Sequence, residues 1–116
     1  MAKNILIVDY LKERTLFFIE RFGRHNLHII ENSADAILYL TDYVYDYIFL
    51  SGDLGDGGSG YDVAEFLAVE DDNPNNDAII IIHSWNVSVV DAMLKLLPKA
   101  DYLPFNEAAF STMFNI

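Results

Sequence analysis

Four consecutive isoleucines, Ile79–Ile82, constrain this chain more than any other feature. A run that apolar has no side to turn toward water. It reads as a strand inside a sheet, with helices covering both faces. Ile5–Val8, Leu27–Ile30 and Tyr47–Leu50 read as further strands, and Tyr102–Leu103 as a brief fifth. Between them the apolar period changes to three or four residues. Leu11, Thr15, Phe18 and Phe22 mark one helix, with Gly23 as its stop. Ser33 is the expected N-cap of a second helix over Ala34 to Leu40. Tyr61 to Val69 forms a third, Val87 to Leu97 a fourth that Pro98 ends, and Glu107 to Phe114 a short last one. Five strand–helix units predict an α/β fold, with a five-stranded parallel sheet and helices on both faces.

The chain has 116 residues, 53% of them hydrophobic, which suits one domain over 1–116 with a real core. No repeat or linker divides it. It has no cysteine, which removes disulfides, thiolate metal sites and a Cys nucleophile. The first apolar run stops at Asp9, too early for a signal segment or a membrane span. The expectation is a cytoplasmic protein with no membrane contact.

Charge is unevenly placed. Eighteen acids face seven bases, for a net charge of −11, and no Lys or Arg occurs between Arg24 and Lys95. Thirteen acids lie in that gap. Binding to a nucleic-acid duplex needs basic patches, so it is not expected. An acidic surface suits solubility, a protein-docking face, or a decoy for a nucleic-acid-binding protein.

Parallel sheets of this kind hold ligands at the carboxyl ends of their strands. That rule selects Asp9 and Tyr10, the segment Ser51–Asp56, the segment His83–Asn86, and then Pro104 and Phe105. Asp9 is either a cap of the following helix or a ligand-binding or catalytic residue. Ser51–Gly60 carries five of the six glycines and must be a loop, in which Asp53 and Asp56 are cation ligands or turn-formers. His83 is a candidate general acid or base that shares its corner with the Ser84 hydroxyl and the Asn86 amide, while Asn86 and Ser88 are otherwise caps of the fourth helix. His25 and His28 read as surface residues. The loop lacks the Lys of a P-loop, and no G-x-G-x-x-G opens a helix after the first strand. The aromatic run Tyr39, Tyr43, Tyr45, Tyr47 and Phe49 is interleaved with acids, which favours core and partner packing over stacking on nucleic acid.

Nearly the whole chain resembles a receiver domain, the flavodoxin-like (βα)5 module of response regulators. Ile5–Asp9 is similar to its first strand and acidic end, Tyr45–Leu50 to its third strand, and Gly58–Tyr61 to the turn into its third helix. Ala100–Glu107 is similar to its final strand and Pro-Phe turn. Three positions depart from it. The second acid after the first strand is Tyr10, the phospho-accepting Asp is Ser51, and Leu103 replaces the Lys before Pro104. Aspartyl phosphorylation needs carboxylates around Mg²⁺ and a cation for the phosphoryl group, so it is not expected here.

A closer resemblance is to the cyclic-phosphate processing receiver family. His83-Ser84-Trp85-Asn86 followed by Ala92-Met93 keeps that family's His-Ser-x-Asn pattern, and Arg14 keeps its Arg. Asp53-Leu54 keeps half of its Asp-His-Asp-Leu pattern, with Gly52 in place of the His. The resemblance implies a pocket for a cyclic-phosphate ligand, on a nucleotide or an RNA end. Asp9, Asp53 and His83 would be its catalytic residues and Ser51, Ser84, Asn86 and Arg14 its ligand contacts. Asp9 and Asp53 would hold Mg²⁺ or another divalent cation. An active protein would be a cyclic-phosphate phosphoesterase, although ring-opening wants both a base and an acid and one histidine is gone. The alternative is a pseudo-receiver that binds a protein through the face carrying Lys95, Lys99, Tyr102 and Phe105.

Overall fold

The computed structural model describes residues 2–69 and 73–116. Glu70, Asp71 and Asp72 lie outside the described residues. Five parallel strands form one sheet: β1 (Asn4–Val8), β2 (Asn26–Ile30), β3 (Tyr47–Leu50), β4 (Ile79–Ile82) and β5 (Asp101–Tyr102), in the order β2-β1-β3-β4-β5. Between and after them come α1 (Lys12–Phe22), α2 (Ser33–Asp42), α3 (Gly60–Val69), α4 (Val87–Leu96) and α5 (Glu107–Thr112). The order reverses between β1 and β3, and there the connections leave toward opposite edges, opening a crevice at the carboxyl ends.

Strand alternation sorts the core into two layers. Ile5, Ile7, Phe49 and Ile81 face Phe18, Phe22 and Phe110 from α1 and α5. Leu6, Val8, Ile48, Leu50 and Ile82 face Leu40, Val63, Val90 and Met93 from α2, α3 and α4. This explains the isoleucine run, since successive residues feed opposite layers. Its first residue departs from the expectation: Ile79 is 46% exposed. β5 pairs only with Ile81 and Ile82, so the amino end of β4 lacks a neighbour on that side.

Several boundaries move. Asn32, not Ser33, caps α2, accepting the Asp35 N–H at 2.8 Å, while the Ser33 hydroxyl donates to Gly57 O at 3.3 Å. β5 starts one residue earlier than expected, and α5 stops at Thr112, short of Phe114. His25 and His28 are half-buried, not surface residues. His25 Nδ1 accepts the Lys3 N–H at 2.9 Å, and the His28 ring packs against Tyr39, Tyr43 and Tyr45. Among the described residues no helix is long and apolar enough to cross a membrane.

Candidate functional site

Backbone hydrogen bonds continue the sheet one residue past each strand end. Asp9 N–H donates to Ile30 O, Ser51 N–H to Val8 O, and His83 N–H to Leu50 O, all at 2.9–3.1 Å. Val8, Leu50 and Ile82 are in register, so Asp9, Ser51 and His83 form the next row. By alternation all three point to the α1–α5 layer. Sequence order hides this row, because 74 residues separate Asp9 from His83.

Asp9 and His83 meet across the row. His83 Nε2 lies 2.8 Å from Asp9 Oδ2, and both side chains are fully buried. The pair reaches over position 51, where a small side chain leaves the room. Arg14, one turn into α1, places a guanidinium nitrogen 3.5 Å from the same carboxylate oxygen. The other oxygen, Oδ1, accepts the N–H groups of Tyr10 at 2.8 Å and Leu11 at 3.1 Å. These precede α1, so Asp9 braces the turn into the helix and does not cap it.

An aromatic shell closes the site. The His83 ring centroid is 5.4 Å from Phe18, 6.3 Å from Phe105 and 6.4 Å from Phe110. Arg14 lies 4.6 Å over Trp85 and 5.4 Å over Phe105. Trp85 Nε1–H donates to Phe105 O at 3.1 Å, which pins the indole although it is 63% exposed. His83 Nδ1 is buried with no hydrogen-bond partner.

Burial alone would raise the Asp9 carboxyl, but the His83 hydrogen bond and charge, the Leu11 N–H and Arg14 outweigh it and hold it below the usual carboxylate range. Burial dominates at His83 and pushes its pKa down, with Asp9 offsetting only part. At neutral pH the pair is therefore an Asp9 carboxylate and a neutral imidazole. Facing a carboxylate, Nε2 carries the proton. The lone pair on Nδ1 then points into aromatic surroundings, and protonating it would bury an unpaired N–H.

The glycine-rich loop is built differently. Ser51 is buried and its hydroxyl donates to Asp53 O at 3.2 Å. Asp53 is exposed, and its Oδ1 accepts the Gly55 N–H at 2.9 Å, a local turn. Asp56 is exposed in a short 3₁₀ turn over Gly55–Gly57. Gly60 is required by contact: a Cβ there would lie 1.8 Å from Ser51 O. A Cβ on Gly52 would lie 2.8 Å from Val89 Cγ1 and 3.1 Å from Ser84 Oγ, so α4 closes over this position. Ser84 Oγ accepts the Asn86 N–H at 3.1 Å, and Asn86 Oδ1 accepts the Val89 N–H at 3.4 Å, capping α4. The structure thus joins Asp9, His83 and Arg14. Ser84 and Asn86 shape the start of α4, and Asp53 stands apart in its own turn.

The sequence profile of the cyclic-phosphate processing receiver domain matches residues 4–99. The chain belongs to that family. Solved response regulators share its fold. Manganese-bound Rcp1 superimposes with a TM-score of 0.79 at 18% identity, over 98% of this chain and 96% of that one. The phosphorylated cyanobacterial phytochrome response regulator RcpA gives 0.79 at 16% identity, over 97% and 89%. A Burkholderia pseudomallei response regulator, solved with a phosphorylated aspartate and calcium, gives 0.75 at 19% identity. The receiver covers 94% of its own length there and spans 64% of that protein. A search of curated proteins finds none that matches.

The Rcp1 and Burkholderia pseudomallei structures contain manganese and calcium, and this receiver's residues do not fit such a cation. Both Asp9 oxygens already have partners, the next position is Tyr10, and Ser51 offers no carboxylate. Asp53 spends one oxygen on Gly55. Among the described residues no three His, Cys, Asp or Glu side chains are grouped to hold a metal. Sequence reasoning placed Trp85 and Phe105 at this edge, but not as the cover over Arg14. A Trp inside the His-Ser-x-Asn pattern was the available signal.

Proposed function

We propose that this receiver is not phosphorylated on aspartate and holds a cyclic-phosphate group at the carboxyl edge of its sheet without turning it over. The burial of His83 carries the reading: neither ring nitrogen reaches the edge, so the imidazole serves no substrate there as acid or base. Ser51 supplies no phospho-acceptor carboxylate. Membership of the family supports the ligand class. For binding, the receiver offers the start of α4, where Ser84 and Asn86 stand.

The test incubates the purified domain with 2′,3′-cyclic nucleotides and cyclic oligonucleotides, with and without Mg²⁺ or Mn²⁺, and reads both products by chromatography and thermal shift. A thermal shift with no product is expected, and Asn86→Ala should weaken it. Product formation that disappears in His83→Ala would overturn the absence of turnover. No shift with any ligand would overturn the binding reading. The exposed Trp85 and Val87, at 63% and 60%, favour a second reading in which this edge docks a protein. A pulldown partner lost in Trp85→Ala, beside a silent thermal shift, would select it.

A further inference from the structure

The opposite, amino edge of the sheet carries a second aromatic group that the carboxyl-edge site does not use. Tyr39 and Tyr43 stack at 5.6 Å with an interplanar angle of 26°. The His28 ring stands edge-on to Tyr43 at 4.9 Å and to Tyr45 at 5.7 Å. Burial first, and then Tyr43 and Tyr39, raise the Tyr45 hydroxyl, so it stays protonated, and it shares a hydrogen bond with His28 Nδ1 at 2.7 Å. A cavity of about 260 Å³ opens beside these rings, lined by His28, Tyr43, Tyr45, Asp42 and Asn26. Tyr43 is 49% exposed.

The charge around this cavity is what gives it meaning. Among the described residues the cation–π contacts come from Arg14 and Arg21, which sit on Trp85, Phe105 and Phe22. The tyrosine group lies inside the stretch from His25 to Leu94 that holds no Lys or Arg. Lys3 lines a neighbouring cavity beside Asp46. Tyr39 is stacked on one side of Tyr43 and Tyr45 is 3% exposed, so Tyr43 is the open ring of the group, with the Asp42 carboxylate at the cavity wall. Aromatic faces beside an anion attract cations, and weakly hydrated methylated ammonium groups most of all. The cavity is below the usual size for a drug-like ligand and suits a head group.

We propose that this cavity binds a methylated ammonium group, seated against Tyr43 with Asp42 as its counter-charge. The site is independent of the cyclic-phosphate reading, because it lies at the other edge of the sheet. The test titrates the domain with tetramethylammonium chloride and with tert-butanol, a neutral molecule of similar size, following tyrosine ring resonances by NMR. Tetramethylammonium should shift Tyr43 saturably, and tert-butanol should not. Tyr43→Ala should weaken binding about tenfold. Asp42→Asn, at an exposed position, should weaken it less and leaves the rings in place. Choline and a trimethyllysine peptide then distinguish a free ammonium from one carried on a protein. Equal response to both small molecules, no saturable shift, or unchanged binding in Tyr43→Ala would overturn the proposal.

Discussion

Asp9 and Asp53 stand just beyond strands of the same sheet, and both use one carboxylate oxygen to gather nearby N–H groups. They differ in what the second oxygen meets. At Asp9 it meets His83 and Arg14, brought from a strand two places away and from the following helix. Desolvation then makes each partner depend on the others. At Asp53 it meets solvent. An aspartate at a strand end is therefore read by what converges on it, and convergence is set by register, not by sequence spacing.

This contrast can be broken by mutation. Removing Asp9 leaves a buried imidazole N–H and a guanidinium without their anion, so Asp9→Ala should lower stability by about 3–5 kcal/mol in urea unfolding. Asp53→Ala should cost under about 1 kcal/mol. Similar losses for both would dissolve the comparison.

Position 51 sharpens it. Ser51→Asp, which restores the acceptor of phosphorylatable receivers, places a second carboxylate in the row between Asp9 and His83. It should cost about 2–3 kcal/mol. A variant as stable as the parent, and phosphorylated by acetyl phosphate, would show the row to be more open than described.

The buried pair also sets the direction of the pH response. Folded His83 refuses a proton that the unfolded chain accepts below its ordinary value of 6.5. Its contribution is fully present above that pH and falls as pH drops, by about 1.4 kcal/mol per pH unit at most. Asp9, held below its ordinary 3.8, adds a second loss as acid titrates through its lowered folded value. Stability curves against pH should therefore lose their slope below 6.5 in His83→Gln. An unchanged slope would locate the response elsewhere.

The smallest effect tests how α4 closes over the loop. Gly52→Ala should cost about 1 kcal/mol, because its Cβ meets Val89 Cγ1 at 2.8 Å. Pairing it with Val89→Ala should cost less than the two single changes summed, as expected for residues that touch. A simple sum would mean the loop shifts freely.

Much of this fold could be read directly. Ile5–Val8, Tyr47–Leu50 and Ile79–Ile82 announce strands because double-sided burial leaves no polar position in them. The ends were harder. Asn32 and Ser33 are both good caps, and only the chain's path decides which side chain reaches the Asp35 N–H. Of the site, the residue types and their edge were legible. The pairing was not, since a bond between Asp9 and His83 needs the strand order and register that place Ser51 between them. The burial of His83 beneath Phe18, Phe105 and Phe110 was equally hidden, because those rings come from three separate segments.

Long-range ¹H–¹⁵N correlation of the His83 imidazole, recorded with and without a 2′,3′-cyclic nucleotide, tests the central claim most directly. The account predicts one neutral tautomer with its proton on Nε2, unchanged by the ligand. The Trp85–Val87 amides should shift while the nucleotide stays intact. A ring that titrates near 6.5, changes protonation when ligand is added, and is accompanied by ring-opened product would contradict it.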